Sequence, residues 1–563
     1  METIRRLYLY LAAFVALMAA LAALPQLVHL VLDALFGASA FTPAGVLREQ
    51  VSQQVGILVV AVPLWAAHWW LAARRRPTTE SARSGLHHLY LYAVIAVALL
   101  VGAVNAGRLL GDVLRLALGD EPAVGSVVAR LLWAMTGLLL AGWHSVIARQ
   151  SRASAGESVG AAWARRWYTY AACAAGAAVA LVGVVGLIHL VWDVTTEQLW
   201  TATAVWDLGG ARRRLVIMVP AVMAGAIVWL THWRWALAWA PQPSAAPRAE
   251  LASGIRRLFL LVASLAPATI SVTWASLLLY RVLQVFFGTG PGGEAAQLVT
   301  AAFHAATWAI VFGATWGYHG TTLRRETRQL ELHDRQPSPL RLARAFLVLV
   351  GLTLVAIGVE QLLRLLLDTL FGAGDVAAAQ GWWVNRTSRA ITLVVAGAPL
   401  WLVPWLGVQI RQPPVAELRS LSRRGILYFA LFAAVIALLA GGSTTLFTLV
   451  RWLLEGTLQA NILRESLAIV LVATVVGLYH LRVVRRDQAA LPAEAPVARE
   501  PLIILRSGES ADVVSELNRL QRRLKDQAKI TVLSVAPAFA EQIMADLAAE
   551  GSDGSPGGTR ETV

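Results

Sequence analysis

Cysteine, lysine and charge are what this 563-residue chain has least of. A single cysteine, Cys173, excludes an internal disulfide and any cysteine-based zinc or iron–sulfur site. Lysine occurs only at Lys525 and Lys529, so nearly all positive charge is arginine. Charged residues make up 15% of the chain, against about 25% in a soluble domain, which excludes a soluble enzyme and a disordered chain. The sequence has no Gly-x-x-x-x-Gly-Lys-Ser/Thr phosphate loop, no His-Glu-x-x-His and no Cys-x-x-Cys. The expectation is therefore no cofactor, no metal and no catalytic residue, a reading that leans away from an enzyme. What is abundant is apolar: 57% hydrophobic residues, with 22 tryptophans. Tryptophan collects at membrane interfaces, where an apolar ring meets a wet N–H.

Crossing about 30 Å of hydrocarbon takes roughly 20 apolar residues. Twelve such stretches occur, near 7–30, 53–73, 89–112, 127–148, 167–191, 213–233, 258–283, 299–321, 345–368, 390–409, 426–452 and 466–484. The first, behind Arg5 and Arg6, is too long for a signal-peptide core and reads as a retained helix. The loops form two alternating sets. Segments 1–6, 74–88, 149–166, 234–257, 324–344 and 411–424 hold 24 arginines against 8 acids, and the opposite set, 37–51, 115–130, 194–214, 288–296, 372–389 and 456–465, holds 9 against 8. The net charge of +14 is thus a topological signal rather than a nucleic-acid footprint. By the positive-inside rule the first set is cytoplasmic, both termini lie inside, and six helical hairpins point the same way.

The hairpins are internal repeats of about 80–90 residues. Odd helices open with Arg6-Leu7-Tyr8-Leu9-Tyr10, His88-Leu89-Tyr90-Leu91-Tyr92, Arg166-Trp167-Tyr168-Thr169-Tyr170 or, more weakly, Arg257-Leu258-Phe259. Even helices close with an aromatic beside a histidine: His68-Trp69, Trp143-His144, His232-Trp233, Tyr318-His319 and Tyr479-His480. The fifth hairpin has Pro404-Trp405 instead. Two spans per unit make the repeats parallel, not inverted as in many secondary transporters. The Arg-Leu-Tyr-Leu-Tyr opening, the Leu362-x-x-Leu365-Leu366-x-Asp368 stretch and the Pro63-Leu64-Trp65-x-x-His68-Trp69 closing resemble the bacterial multi-pass membrane family catalogued as domain of unknown function 5671. The resemblance covers roughly residues 1–486 as about three four-helix copies, and the fourth and sixth hairpins depart most from it. It implies a bacterial cytoplasmic (inner) membrane protein and carries over no activity.

The expected units are four-helix membrane units at 1–152, 153–330 and 331–486, a linker at 487–500, a small cytosolic α/β unit at 501–549, and a disordered tail at 550–563. In the small unit, Leu502–Leu505 and Ile530–Ser534 read as strands, and Asp512–Lys525 and Ala538–Ala549 as helices. Two strands make a thin core, so this βαβα unit is expected to self-associate or to bind a partner protein. Arg506-Ser507-Gly508 is a weak phosphate-cradle signal with a plain turn as its alternative. The fold class is an all-α polytopic membrane protein with this α/β appendage.

Near the outer end of the odd helices runs a polar stripe, Gln/Asn-x-x-His/Arg-x-x-x-Asp/Glu: Gln26/His29/Asp33, Asn105/Arg108/Asp112 and Gln361/Arg364/Asp368, with partial forms His189/Asp193 and Arg451/Glu455. Spacings of three and four place each set on one helical face. Polar groups at this depth are costly unless paired or facing water. The stripes either line a path or cavity, or staple neighbouring hairpins by ion pairs, and the structural reading weighs more. Glu360 stands where the other copies have Pro25, Val104, Val185, Ser276 and Phe447. It is either a proton-carrying carboxyl or a partner of Arg364. The histidines His68, His144, His232, His319 and His480 are expected at headgroup depth, with haem or pH sensing as weak alternatives. The helix Ala171–Gly186, nearly all Ala, Gly and Val, is expected to be tightly packed. The functional expectation is non-enzymatic binding or passage of a small solute or ion. The alternative is a scaffold that organises partners through its lateral faces, with the lipid bilayer as the one certain partner.

Overall fold

The structure, a computed structural model, describes residues 2–36, 44–73, 84–200, 208–238, 250–287, 295–329, 339–371, 382–409, 413, 415–491, 501–506, 529–534, 536, 538–539 and 542. Lipid offers no partner to backbone N–H and C=O groups, so a spanning segment must satisfy them within itself, as a helix does. Twelve helices long and apolar enough to cross a membrane result. They are α1 (Glu2–Phe36), α2 (Ala44–Ala73), α3 (Gly85–Ala117), α4 (Val124–Ala155), α5 (Val159–Trp200), α6 (Leu208–Ala238), α7 (Gly254–Phe286), α8 (Ala295–Gln329), α9 (Pro339–Phe371), α10 (Trp382–Gln409), α11 (Leu421–Glu455) and α12 (Ala460–Ala490). One turn of helix, Val415–Leu418, precedes α11.

Each helix outruns its apolar stretch, because the amphipathic flanks continue the helical hydrogen bonding. The longest, α5, has 42 residues. Likewise α12 runs through Ala490, so residues 487–490 are helical and not the start of a linker. Pro25, Pro63, Pro220, Pro267, Pro399 and Pro404 all lie inside helices, which neighbouring helices in a membrane permit. Where chains turn, Gly156 and Gly456 follow α4 and α11 with φ of 76° and 71°, backbone that a side chain would strain.

The helices pack as α1–α2, α3–α4, α5–α6, α7–α8 and α9–α10 hairpins, and α11 and α12 meet where Thr445 donates to Ser466 at 2.8 Å. Successive hairpins then stack by one rule. Each odd helix touches the next odd helix and, in the first four, the even helix of the next hairpin: α1 on α3 and α4, α3 on α5 and α6, α5 on α7 and α8, α7 on α9 and α10. The extensive contacts among the described residues all lie within a hairpin or between successive hairpins, so the hairpins form a row. The expected small-residue helix, α5, packs on α3, α6, α7 and α8.

Small residues set the spacing inside hairpins. A Cβ on Gly137 of α4 would lie 2.6 Å from the Gly102 nitrogen, and one on Gly225 of α6 would lie 2.7 Å from the Gly176 oxygen. Gly397 of α10 meets Gly351 in the same way. Water does not drive helices together inside lipid, so such close backbone approach supplies the dispersion contact that does.

The chain divides into two compact units, Met1–Leu481 and Arg482–Val563. In the second, β1 (Pro501–Arg506) pairs in parallel with β2 (Lys529–Ser534), Leu502 opposite Ile530 and Leu505 opposite Leu533. The helices expected at 512–525 and 538–549, the Arg506-Ser507-Gly508 turn and the tail at 550–563 lie wholly or largely outside the described residues.

Candidate functional site

At the far face, where odd helices end, three of the stripe acids, Asp112, Asp193 and Asp368, meet basic side chains of neighbouring helices. Asp112, buried, is ion-paired to Arg130 of its own hairpin, with Arg115 3.9 Å away. Asp193 takes Arg214 of its own hairpin at 2.7 Å and His304 of the next at 2.8 Å. Asp368 takes Arg386 at 2.6 Å and, from α12, Arg464 at 2.7 Å. In the first hairpin Asp33 lies 3.4 Å from His29 Nδ1, and His29 Nε2 donates to the Gly125 carbonyl of α4 at 2.8 Å. In the fourth, where the charge is absent, Gln284 donates to Asn385 of α10 at 2.7 Å. His189 stacks on His304 with centroids 3.9 Å apart and donates to its carbonyl. Arg364 is bound to Glu465 at 2.6 Å, not to Glu360. Arg451 and Glu455 pair within α11, both exposed. Asn105 donates to its own helix at Val101, and the Gln361 Oε1 is buried without a partner. Gln26 is half-buried.

The even-helix partners Arg130, Arg214, His304, Asn385, Arg386 and Arg464 escape a reading confined to one helix. Their signal is the return distance: Arg130, Arg214 and Arg386 follow their acids by 18, 21 and 18 residues across the turn.

At the near face, where odd helices begin, the five histidines share one geometry. Nδ1 of His68, His144, His232, His319 and His480 each bonds the carbonyl four residues back, at 2.7–3.1 Å. A carbonyl only accepts, so Nδ1 carries a proton, and in the neutral ring Nε2 holds the lone pair. That lone pair accepts from Tyr168 Oη at 2.8 Å in His232 and from Tyr8 Oη at 3.3 Å in His68, and is buried without a partner in His144 and His480. All but His68 are buried between helices. No group of three or more His, Cys, Asp or Glu that could hold a metal occurs among the described residues.

Beside them lies a repeated buried base. Ser84-x-x-His87, Ser253-x-x-Arg256 and Ser420-x-x-Arg423 open α3, α7 and α11. His87, Arg256 and Arg423 are 0%, 0% and 2% exposed. Each meets the tryptophan of the preceding even helix: Trp69–His87 centroids at 6.1 Å, Arg256 over Trp233 at 6.0 Å, Arg423 over Trp405 at 5.3 Å. Arg256 forks onto Glu326 at 2.8 and 2.6 Å and donates to Tyr170 Oη and the Ala236 carbonyl. His87 bonds Ser151, which follows His144 by seven residues as Glu326 follows His319.

A second acid clamps the unit openings: Glu250 holds Arg165 and Arg166, each at 2.9 Å, and Glu417 holds Arg341 and Arg344 at 3.2 and 3.4 Å. Both acids stand three residues before a capping-position serine, Ser253 and Ser420. Burial pushes the Glu250 carboxyl up, but Arg165 and Arg166 outweigh it and hold it below the usual carboxylate range. The sequence signal for this network was the Ser-x-x-base recurrence, three helices deep in a four-helix period. Gly156-Glu157-Ser158-Val159-Gly160 spells Gly-x-Ser-x-Gly, but it joins two helices, and Ser158 Oγ accepts from Ala161 N at 3.2 Å as an ordinary cap.

Two cavities touch the stripe residues. The larger, about 650 Å³, runs between α3, α5 and α6 with walls of Ala, Gly, Val and Leu. Arg108, Asp112, Arg115 and Arg130 gather at its far-face end and Tyr168 at the other. The smaller, about 350 Å³, lies between α9, α11 and α12, with Glu360 its one ionisable residue. A third, of about 230 Å³, includes Tyr92, Arg149, Arg152, Arg165 and Glu250 at the near face.

A model of the family described as domain of unknown function (DUF5671) matches residues 6–139, 166–314 and 341–461 in succession. These three matches fall one to each of the expected four-helix membrane units. Neither the curated proteins nor the solved structures contain a match.

Proposed function

This chain belongs to the DUF5671 family, an integral membrane protein by its twelve apolar helices, and on that footing we propose that it binds an anionic amphiphile from the bilayer, without catalysis. The observation that carries this reading is Arg108 in the wall of the larger cavity. Its guanidinium makes no bond among the described residues, whereas Asp112 beside it is engaged by Arg130. An arginine with no bond among the described residues, at the charged end of a groove whose walls are apolar, is matched by a ligand with an acidic head and an apolar chain. The α3 wall from Ala96 to Arg115 spans about 28 Å at 1.5 Å per residue, long enough for an extended chain. Binding is favoured over ion passage because most stripe acids are taken up in bonds between helices.

The test is a single-chain fatty acid carrying a diazirine, incorporated with the full-length protein in phosphatidylcholine nanodiscs and mapped by mass spectrometry. Crosslinks are expected on α3, α5 and α6, reduced by Arg108→Ala and abolished by Ala175→Trp, which fills the groove. Labelling indifferent to both variants in folded protein sinks the reading.

The arginine asymmetry of the loops supports a bacterial cytoplasmic membrane location with both termini inside. For residues 501–549, the described part is the parallel pair β1 and β2, and its thin sheet suits a regulatory or self-association role.

A further inference from the structure

Glu360 is a carboxyl with no hydrogen bond or ion pair among the described residues, set in the middle of a membrane helix. Arg364, one turn toward the far face, is bound elsewhere, to Glu465 at 2.6 Å. Asp368, two turns away, is held by Arg386 and Arg464. Thr353, the other polar side chain in the wall, donates to the Leu349 carbonyl of its own helix. The remaining lining is Ala, Leu, Ile, Val and Phe429. Duplication does not account for the residue, since the five equivalent positions carry no charge. A packing device would recur, as the far-face acids and near-face bases do.

A carboxylate in low dielectric is expensive unless something positive reaches it. Nothing in the surrounding protein does so at bonding distance, and an empty volume of about 350 Å³ lies against it, within the range of small-molecule sites. We infer that the cavity between α9, α11 and α12 is a binding site for a small lipophilic cation. Its apolar body rests on the alanine and isoleucine walls, and its single charge faces Glu360. Phe429 adds an aromatic face on which a quaternary ammonium gains further attraction. The site is separate from the groove of the second and third hairpins, shares no residue with it, and takes a ligand of opposite charge.

The probe is 4-fluorobenzyltrimethylammonium, followed by fluorine NMR line broadening over full-length protein in zwitterionic phosphatidylcholine nanodiscs, with empty nanodiscs as background. Saturable broadening is expected. Glu360→Gln, nearly the same shape without the charge, should weaken binding at least tenfold. Ala433→Leu, which keeps the carboxyl and occupies the cavity, should weaken it as well, a result that bare attraction to a surface carboxylate does not give. Arg108→Ala should leave it unchanged. Absence of saturable broadening with the wild-type protein overturns the inference. So does equal binding by Glu360→Gln in protein that remains monodisperse, because the carboxyl is then protonated and idle.

Discussion

Residues of the same type divide here by what surrounds them. Asp368 and Glu455 both end a stripe, yet Asp368 is buried between two arginines while Glu455 lies on an exposed turn with Arg451. Replacing Asp368 by Ala removes the acid shared by Arg386 and the buried Arg464 and should cost roughly 2–4 kcal/mol of stability, since breaking a buried pair leaves charge uncompensated. Glu455→Ala should cost only about 0.3 kcal/mol. Tryptophan fluorescence melts of the two variants in one detergent compare them directly. Glu250 carries a pH signature. Its folded carboxyl titrates below its ordinary value of 4.5 because Arg165 and Arg166 prevail over burial. The clamp therefore contributes fully above that value and is lost as pH falls through the lowered folded one. Glu250→Gln should melt lower at neutral pH and show a flatter loss of stability on acidification, read from melts between about pH 3 and 7. The stripe itself was legible because three- and four-residue spacings repeat within a helix. Its partners were not, because they stand on other helices.

Helix pairing rests on where the backbones touch. A leucine at Gly225 would drive into the Gly176 carbonyl and the Ala180 backbone, whereas at Gly407 nothing lies within 4 Å of a new Cβ. Gly225→Leu should therefore broaden or shift the size-exclusion peak and lower the melting temperature by several degrees, and Gly407→Leu should leave both unchanged. A Gly225→Leu protein that behaves like the parent would remove the glycine seam from the account of hairpin packing. Composition flagged the α5 helix as small-residue, but glycine content alone did not separate Gly225 from Gly407. That distinction depends on which face meets the partner.

For the whole chain, the proposed topology of twelve crossings in parallel two-helix modules places both ends on one side of the membrane. The 24 to 9 arginine bias between the two loop sets argues for the cytoplasmic side by the positive-inside rule. Single cysteines introduced at Ser81 and Ala38 into a Cys173→Ser background should label from opposite sides of sealed vesicles, Ser81 from the cytoplasmic side. Labelling of both from one side would contradict the hairpin order. The row of hairpins follows from bonds between successive modules, such as His29 to Gly125 and Asp193 to His304. Such contacts give each inner hairpin one neighbour before and one after.

The sequence by itself determined the twelve apolar helices, the repeat and the family, because hydropathy and duplicated motifs are local or periodic properties of the chain. Only the tertiary structure decided which charges are consumed and which remain. Arg364, the partner in one of the two readings of Glu360, went to Glu465 instead, and Arg108 faces a groove while Arg130 closes on Asp112. The physical reason is that an ion pair is chosen by proximity among all helices that meet at a point, and sequence spacing reports only the neighbours on one of them.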